Sequence, residues 1–272
     1  MMRVVALVFS LVATVPMACG VSPGFPAYER ANKLFVAKRF PESMSAIEEA
    51  LRLEPRLVPA LTLKAKLAMA VNRFDVARDS LERALRSDPR SHYAQFLYGL
   101  QFYMSADLQS ALPQFEKARL LNPTDGRTVL YIGLTQESLG RNAAALSAYR
   151  EALGLEDAAG APQVETLLAG ARLMLLLGRA DEGRQWIDRA LKLEPGSRAA
   201  HFEAARLMLA NGAARRAAVE GETALSLPGA DVADSQIHYL LIRAWRESGQ
   251  TAKAAGHADA VRLLETPPGT GK

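Results

Sequence analysis

The chain has 272 residues, of which 49% are hydrophobic, a fraction large enough to bury a core and too large for a disordered chain. Lysine and arginine number 33 against 29 aspartate and glutamate, and no five like charges follow one another, which excludes a nucleic-acid-binding arm. A single cysteine excludes an intrachain disulfide.

The N-terminus has the pattern of a secretory signal peptide. Arg3 precedes an apolar run from Val4 to Val15, and small residues follow that run. No later stretch has the roughly twenty consecutive apolar residues that a membrane-spanning helix needs. We therefore expect residues 1–19 to be a signal peptide and the mature protein to be exported, to a bacterial periplasm or outer membrane.

Cys19 lies where the signal would be cut, and it allows two interpretations. Ala18-Cys19-Gly20 resembles a bacterial lipobox, although Pro16 stands where that pattern usually has leucine. In this interpretation Cys19 is the lipidated first mature residue, residues 20–26 form a tether, and the absence of aspartate after the cysteine implies the outer membrane. In the other, ordinary signal peptidase reads the same residues as a small-x-small site and cleaves after Gly20.

A repeated motif runs through the rest of the chain. The segments AIEEALRLEP, SLERALRSDP, QFEKARLLNP, AYREALGLED and WIDRALKLEP align on one alanine, and the spacings are 34, 34, 34 and 38 residues: Ala50, Ala84, Ala118, Ala152 and Ala190. A column of small residues keeps the same register: Ala31, Ala65, Gly99, Gly133, Ala171 and Ala205. Prolines, which disfavour a continuing helix, follow four of the motifs: Pro55, Pro89, Pro123 and Pro195.

These columns resemble the tetratricopeptide repeat, a 34-residue helix-turn-helix unit with small, aromatic and proline landmarks in this order. The resemblance implies an all-α fold, a right-handed superhelical solenoid of about seven units in which stacking buries the core. We expect the solenoid over residues 27–265 and a flexible tail over 266–272. The expected units are 24–57, 58–91, 92–125, 126–159, 164–197, 198–231 and 235–268.

The repeat is interrupted twice. The segment LEDAAGAPQ at residues 155–163 adds four residues to one period, and it is either a hinge that splits the solenoid four plus three or a longer loop. A second insertion, PGADVAD at residues 228–234, separates the last two units.

No pattern in the chain indicates catalysis. PPGTGK at residues 267–272 lacks the preceding strand, the first glycine and the following serine or threonine of a phosphate-binding loop. The histidines have no metal-ligand spacing, and most carboxylates fall on solvated helix faces. We therefore predict a protein that is not an enzyme, uses no cofactor or metal, and binds no nucleotide or nucleic acid.

In tetratricopeptide-repeat proteins the first helix of each unit lines a concave groove. Carried over by register, the resemblance implies a partner-binding groove formed by Tyr93, Phe96, Leu97, Leu100, Tyr103, Leu130, Tyr131, Arg172, Phe202, Arg206 and Arg243. The aromatic residues either face this groove or belong to the core. The arginines either hold a carboxylate of the ligand or pair with groove glutamates such as Glu203 and Glu247.

The predicted function is that of a scaffold that binds a peptide or helix of a protein partner, with an apolar and an acidic segment. Exported repeat proteins of this kind resemble pilotin and assembly lipoproteins, which implies a role in an envelope, secretion or pilus complex. The alternative is an accessory subunit of exopolysaccharide or peptidoglycan machinery that contacts an acidic polymer.

Overall fold

The computed structural model describes residues 22–265, and within them the chain forms fourteen α-helices and no strand. The helices are α1 (Phe25–Val36), α2 (Phe40–Leu53), α3 (Val58–Ala70), α4 (Phe74–Ser87), α5 (His92–Met104), α6 (Leu108–Leu121), α7 (Gly126–Ser138), α8 (Asn142–Ala158), α9 (Val164–Leu176), α10 (Ala180–Leu193), α11 (Arg198–Ala210), α12 (Ala214–Ser226), α13 (Asp234–Glu247) and α14 (Thr251–Glu265). The predicted all-helical fold is confirmed. Cys19, the predicted signal peptide and the predicted tail lie outside the described residues.

Consecutive helices pack in seven pairs, from α1 with α2 to α13 with α14. The chain divides into two compact units, of which the first ends at Pro89 and holds α1–α4, and the second begins at Arg90 and holds α5–α14. The insertion at residues 155–163 lies inside the second unit. Over residues 22–265, no helix combines the length and the apolar character required to cross a bilayer.

Each helix pair turns at one residue in the left-handed region. Glycine occupies this position in the last four pairs, and Lys38, Asn72 and Ala106, with φ of 58°, 57° and 61°, occupy it in the first three. The next residue closes the first helix: the N–H of Asp107, for example, donates to the carbonyl of Phe102 over 2.9 Å. A side chain costs about 1 kcal/mol in this region, although asparagine adopts it more readily, so the turns at Lys38 and Ala106 are strained.

The helices of a pair approach most closely at the predicted small residues. A Cβ atom on Gly99 would lie 2.7 Å from the Phe115 ring, and one on Gly133 would lie 2.6 Å from the Tyr149 ring. Both rings are fully buried, at 0% exposure. Large residues therefore fill the space within a pair, and the glycines set the crossing distance.

Most of the first insertion extends a helix. α8 has 17 residues, whereas the second helices on either side of it, α6 and α10, have 14 each. The chain then turns at Gly160, with φ of 69°, and enters α9 at Val164. The longer loop that the sequence suggested is thus a longer helix followed by a short turn.

Candidate functional site

The first helices of the second unit form a layer in which three neighbouring pairs of them pack on one another. α5 packs on α7, and α11 packs on both α9 and α13, whereas the second helices contact mainly first helices. All the residues predicted for the groove lie on these first helices. We call this layer the inner surface.

Three of the predicted groove residues are core residues, which corrects their assignment to the groove. Phe96 is 3% exposed, and Leu97 and Leu130 are 2% exposed. The physical reason is that α5 carries apolar residues around most of its circumference and is covered by α6 and α7. Such residues offer a partner little contact area.

The buried ring of Phe96 belongs to an aromatic cluster. Its centroid lies 5.7 Å from that of Phe115 and 5.3 Å from that of Tyr131, which it meets edge-on. Tyr103 meets Tyr131 edge-on at 5.8 Å. Burial, and then the charge of Glu165, raises the pKa of the Tyr131 hydroxyl. Phe96, Tyr103 and Tyr131 therefore stabilise the packing of the two helices.

A cavity of about 460 Å³ opens where α5, α7 and the end of α8 meet. Tyr93, which is 37% exposed, and Arg127 line it together with three carboxylates: Asp125, Glu156 and Glu165. We call it the α5–α7 cavity. Its lining contains more carboxylates than cationic side chains.

A cavity of about 700 Å³ lies between α9 and α11, and we call it the α9–α11 cavity. Leu168 and Phe202 give it an apolar floor, and Arg172 and Arg206 lie beside them. The structure thus brings two of the three predicted arginines into one cavity. Arg243 is not part of its lining and pairs with Glu247 at 2.7 Å.

Arg206 has a partner on its own helix. It donates from Nη1 to both carboxylate oxygens of Glu203, over 3.0 and 2.8 Å. Glu203 is only 8% exposed, and burial raises the pKa of its carboxyl in opposition to Arg206, which lowers it. Arg206 and Arg243 therefore pair with the groove glutamates Glu203 and Glu247, as the second interpretation of the sequence expected.

Arg172 has a more distant partner. Its guanidinium lies 3.8 Å from Glu137, which also accepts a hydrogen bond from the hydroxyl of Tyr149. Burial and this hydrogen bond raise the pKa of the Tyr149 hydroxyl. These contacts link α7, α8 and α9 on one side of the cavity.

The first insertion is held by a buried carboxylate. Glu156 is 6% exposed, accepts from the backbone N–H of Gln163 over 3.0 Å, and accepts from the Thr166 hydroxyl over 2.7 Å. Burial raises the pKa of the Glu156 carboxyl, and the two hydrogen bonds act in the opposite direction. Gln163 lines both cavities, so Glu156 fixes a segment that the two cavities share.

The second insertion is held by a buried arginine. Arg198 is 5% exposed and donates to the carbonyls of Leu227 and Val232, over 2.9 and 3.0 Å, and to the Asp234 carboxylate. Val232 and its neighbour Asp231 line the α9–α11 cavity. A buried charge therefore fixes this part of the cavity too. Sequence reasoning missed it, because Arg198 stands at an ordinary helix start.

The structure also brings together two histidines that are far apart in the sequence. Nδ1 of His238 lies 3.0 Å from Nδ1 of His257, and Nε2 of His257 lies 3.0 Å from Glu222. The two histidines stand on α13 and α14, which pair in the fold, and their spacing of 19 residues gave no signal in the sequence. Residues 22–265 contain no cluster of three or more metal-ligating side chains that could hold a metal ion.

Residues 62–107 and 102–163 match the tetratricopeptide repeat family. The chain is similar to anaphase-promoting complex subunit 3 of Schizosaccharomyces pombe, at 21% identity over 63% of this chain and 25% of that protein. It spans about a quarter of the length of the curated relatives it matches.

Several solved structures resemble most of the chain. A tetratricopeptide repeat protein of Parabacteroides merdae has a TM-score of 0.67 and 15% identity, over 91% of this chain and 95% of that one. The structure of Pseudomonas aeruginosa pilF has a TM-score of 0.59 and 17% identity, over 91% and 93%. At these identities the likeness shows the fold alone, an all-α solenoid of tetratricopeptide repeats.

Proposed function

We propose that this chain of tetratricopeptide repeats is a non-enzymatic scaffold that binds a peptide or helix of a partner protein on its inner surface. The observation that carries the proposal is the α9–α11 cavity of about 700 Å³, with an apolar floor and charged groups around it. Concave sites that combine apolar surface with placed polar groups are the usual form of binding sites.

The side chains around the cavity support binding rather than bond-making chemistry. Arg206 is paired with Glu203, and Arg172 lies near Glu137, so these groups are arranged as ion pairs. Phe202 lies close to Arg206, with the guanidinium 6.0 Å from the ring centre. Aromatic and arginine side chains carry much of the binding energy in protein interfaces.

Export supports a place for this scaffold in the bacterial envelope. The expected signal peptide over residues 1–19, with or without lipidation at Cys19, would deliver the repeats to the periplasm or to the outer membrane. A repeat scaffold in that compartment suits the assembly of an envelope, secretion or pilus complex. The likeness to Pseudomonas aeruginosa pilF, which is one of fold, is compatible with this role.

A crosslinking pull-down from detergent-solubilised envelopes tests the proposal. The wild type is compared with a Val164→Ala, Phe202→Ala double variant of the inner surface, which removes two apolar side chains from the lining of the α9–α11 cavity. The matched control is Leu193→Ala, Val219→Ala, which removes two exposed apolar side chains from the second helices α10 and α12. Circular dichroism verifies that both variants are folded.

We expect a partner that the wild type and the control capture equally and that the inner-surface variant loses. A partner retained equally by all three proteins would contradict binding on the inner surface. The fully buried position of Phe96 explains why it is not the residue to replace: Phe96→Ala would open a cavity in the core and destabilise the fold.

A further inference from the structure

We infer that the α9–α11 cavity selects a partner segment in which a positively charged side chain stands next to a large apolar one. The inference rests on the proposed function and specifies the chemistry of the partner. It also reverses the expectation of an acidic partner, which followed from the arginines alone.

The charges around the cavity favour a cationic ligand. Two arginines line it, against four carboxylates: Glu165, Glu194, Glu203 and Asp231. With every group ionised, the lining carries 2 − 4 = −2 charges. Like charges across an interface cost binding energy, so an acidic segment would be repelled by this lining.

The arginines are already engaged, whereas three of the carboxylates are not. Arg206 is held by the buried carboxylate of Glu203, and Arg172 lies 3.8 Å from Glu137. Glu165, Glu194 and Asp231 are exposed, and among residues 22–265 they form neither an ion pair nor a side-chain hydrogen bond. An incoming lysine or arginine would find free acceptors at these three positions.

The floor of the cavity favours an apolar neighbour of that cation. Leu134, Val164, Leu168 and Phe202 all contribute to the lining. A volume of about 700 Å³ is large enough for more than one side chain of a peptide. Burying a large apolar side chain against these residues supplies affinity, and the charged rim supplies selectivity.

The lining is also held in place before a partner arrives. Glu156 fixes Gln163, which precedes α9 and Glu165, and Arg198 fixes the segment that contains Asp231. Segments that are already ordered lose less conformational entropy on binding. The two insertions, which look like irregularities of the repeat, thus form part of one prepared site.

A selection from a phage-displayed library of random twelve-residue peptides tests the inference. The bait is the wild-type protein, and a triple variant, Glu165→Gln, Glu194→Gln and Asp231→Asn, removes the three free carboxylates. The matched control, Glu29→Gln, Glu48→Gln and Asp181→Asn, removes three exposed carboxylates that do not line the cavity. Fluorescence anisotropy then measures the affinity of one enriched peptide for each protein.

We expect enrichment of peptides with a net positive charge and a large apolar residue. The triple variant should bind the chosen peptide about tenfold more weakly, and the control should bind it like the wild type, because each exposed charge contributes a modest free energy. Enrichment of acidic peptides, equal binding by the triple variant, or no enrichment at all would overturn the inference. In each of these cases the crosslinking experiment still decides separately whether the inner surface binds a protein.

Discussion

Arg198 donates the hydrogen on Nε to the carbonyl oxygen of Val232 over 3.0 Å, and the two residues stand 34 positions apart in the chain. The same guanidinium also holds Leu227 and Asp234. One buried side chain therefore binds two carbonyls and one carboxylate at the second insertion. A loop without repeat partners is ordered by this means, and it becomes part of the α9–α11 cavity.

Replacement of Arg198 should release this segment. In Arg198→Leu the carbonyls of Leu227 and Val232 lose their donor, and the expected loss is about 3 kcal/mol in the free energy of unfolding. Hydrogen exchange should rise at residues 227–234. The control is Arg119→Leu, whose exposed pair with Glu151 at 3.2 Å should cost less than about 1 kcal/mol. Urea denaturation measures both, and equal losses would contradict the role given to Arg198.

The strained turn at Ala106 should tolerate glycine better than alanine. Ala106→Gly removes the Cβ atom from a residue with φ of 61°, and we expect a gain of about 0.5–1 kcal/mol in the free energy of unfolding. The same change at the exposed helical residue Ala144 should instead cost about 1 kcal/mol. Chemical denaturation of the two variants checks the opposite signs, and a loss in both would show that the turn is not strained.

The buried amide of Gln101 should be replaceable with a gain in stability. Gln101 is 0% exposed, and neither its amide nitrogen nor its amide oxygen has a hydrogen-bond partner within residues 22–265. Leucine stands at the same register in other units, at Leu67, Leu173 and Leu207. Because an unsatisfied buried polar group costs about 1–3 kcal/mol, Gln101→Leu should raise the free energy of unfolding by at least about 1 kcal/mol.

The neighbouring Gln95 provides the control for this prediction. Its amide donates to Gln114 over 2.7 Å, so Gln95→Leu breaks a hydrogen bond and should destabilise the protein. Thermal melting compares both variants with the wild type. A lower melting temperature for Gln101→Leu than for the wild type would indicate that the amide of Gln101 does contribute to stability.

The histidine pair should make stability depend on pH. Burial, and then the charge of His257, lowers the pKa of His238, while Asp234 and Glu222 act in the opposite direction. The folded state therefore binds the His238 proton less tightly than the unfolded state does. The stability that neutral His238 contributes is complete above the ordinary histidine pKa of about 6.5, and it is lost as the pH falls through the lowered pKa. The short Nδ1 to Nδ1 contact also requires one unprotonated ring.

We therefore expect the free energy of unfolding to fall between about pH 7.5 and pH 5.5, and to fall less in His238→Phe than in the wild type. His92→Phe, which changes a histidine outside the pair, is the control for the histidine-to-phenylalanine substitution itself. Urea denaturation across this range provides the measurement. A pH dependence that His238→Phe leaves unchanged would show that the pair does not contribute to it.

The repeat made the fold predictable from the sequence. The spacing of 34 residues and the small residues at Gly99 and Gly133 predicted helix pairs, and the structure places these glycines against Phe115 and Tyr149. Local rules were sufficient here because each pair repeats the same contacts. The left-handed turn position is visible in the same register, as Gly140 and its equivalents, although three of the seven pairs carry another residue there.

The site was less predictable, because it depends on contacts that do not repeat. Register placed Phe96 and Arg172 on the same inner surface, but it could not show that Phe96 is buried or that carboxylates outnumber the arginines in the cavity. The polar groups that shape the cavity, Glu156 and Arg198, order the two insertions, where the sequence departs from the repeat and offers no equivalent position for comparison.

Photo-crosslinking at matched glutamines tests most directly whether the inner surface binds the partner. Gln236 lines the α9–α11 cavity, and Gln185 is an exposed residue of the second helix α10 that does not line it. Benzoylphenylalanine is placed at either position, and the protein is irradiated in native envelopes. Binding on the inner surface predicts a crosslinked partner protein from Gln236 and none from Gln185. Crosslinking from Gln185 alone, or from neither position, would contradict it.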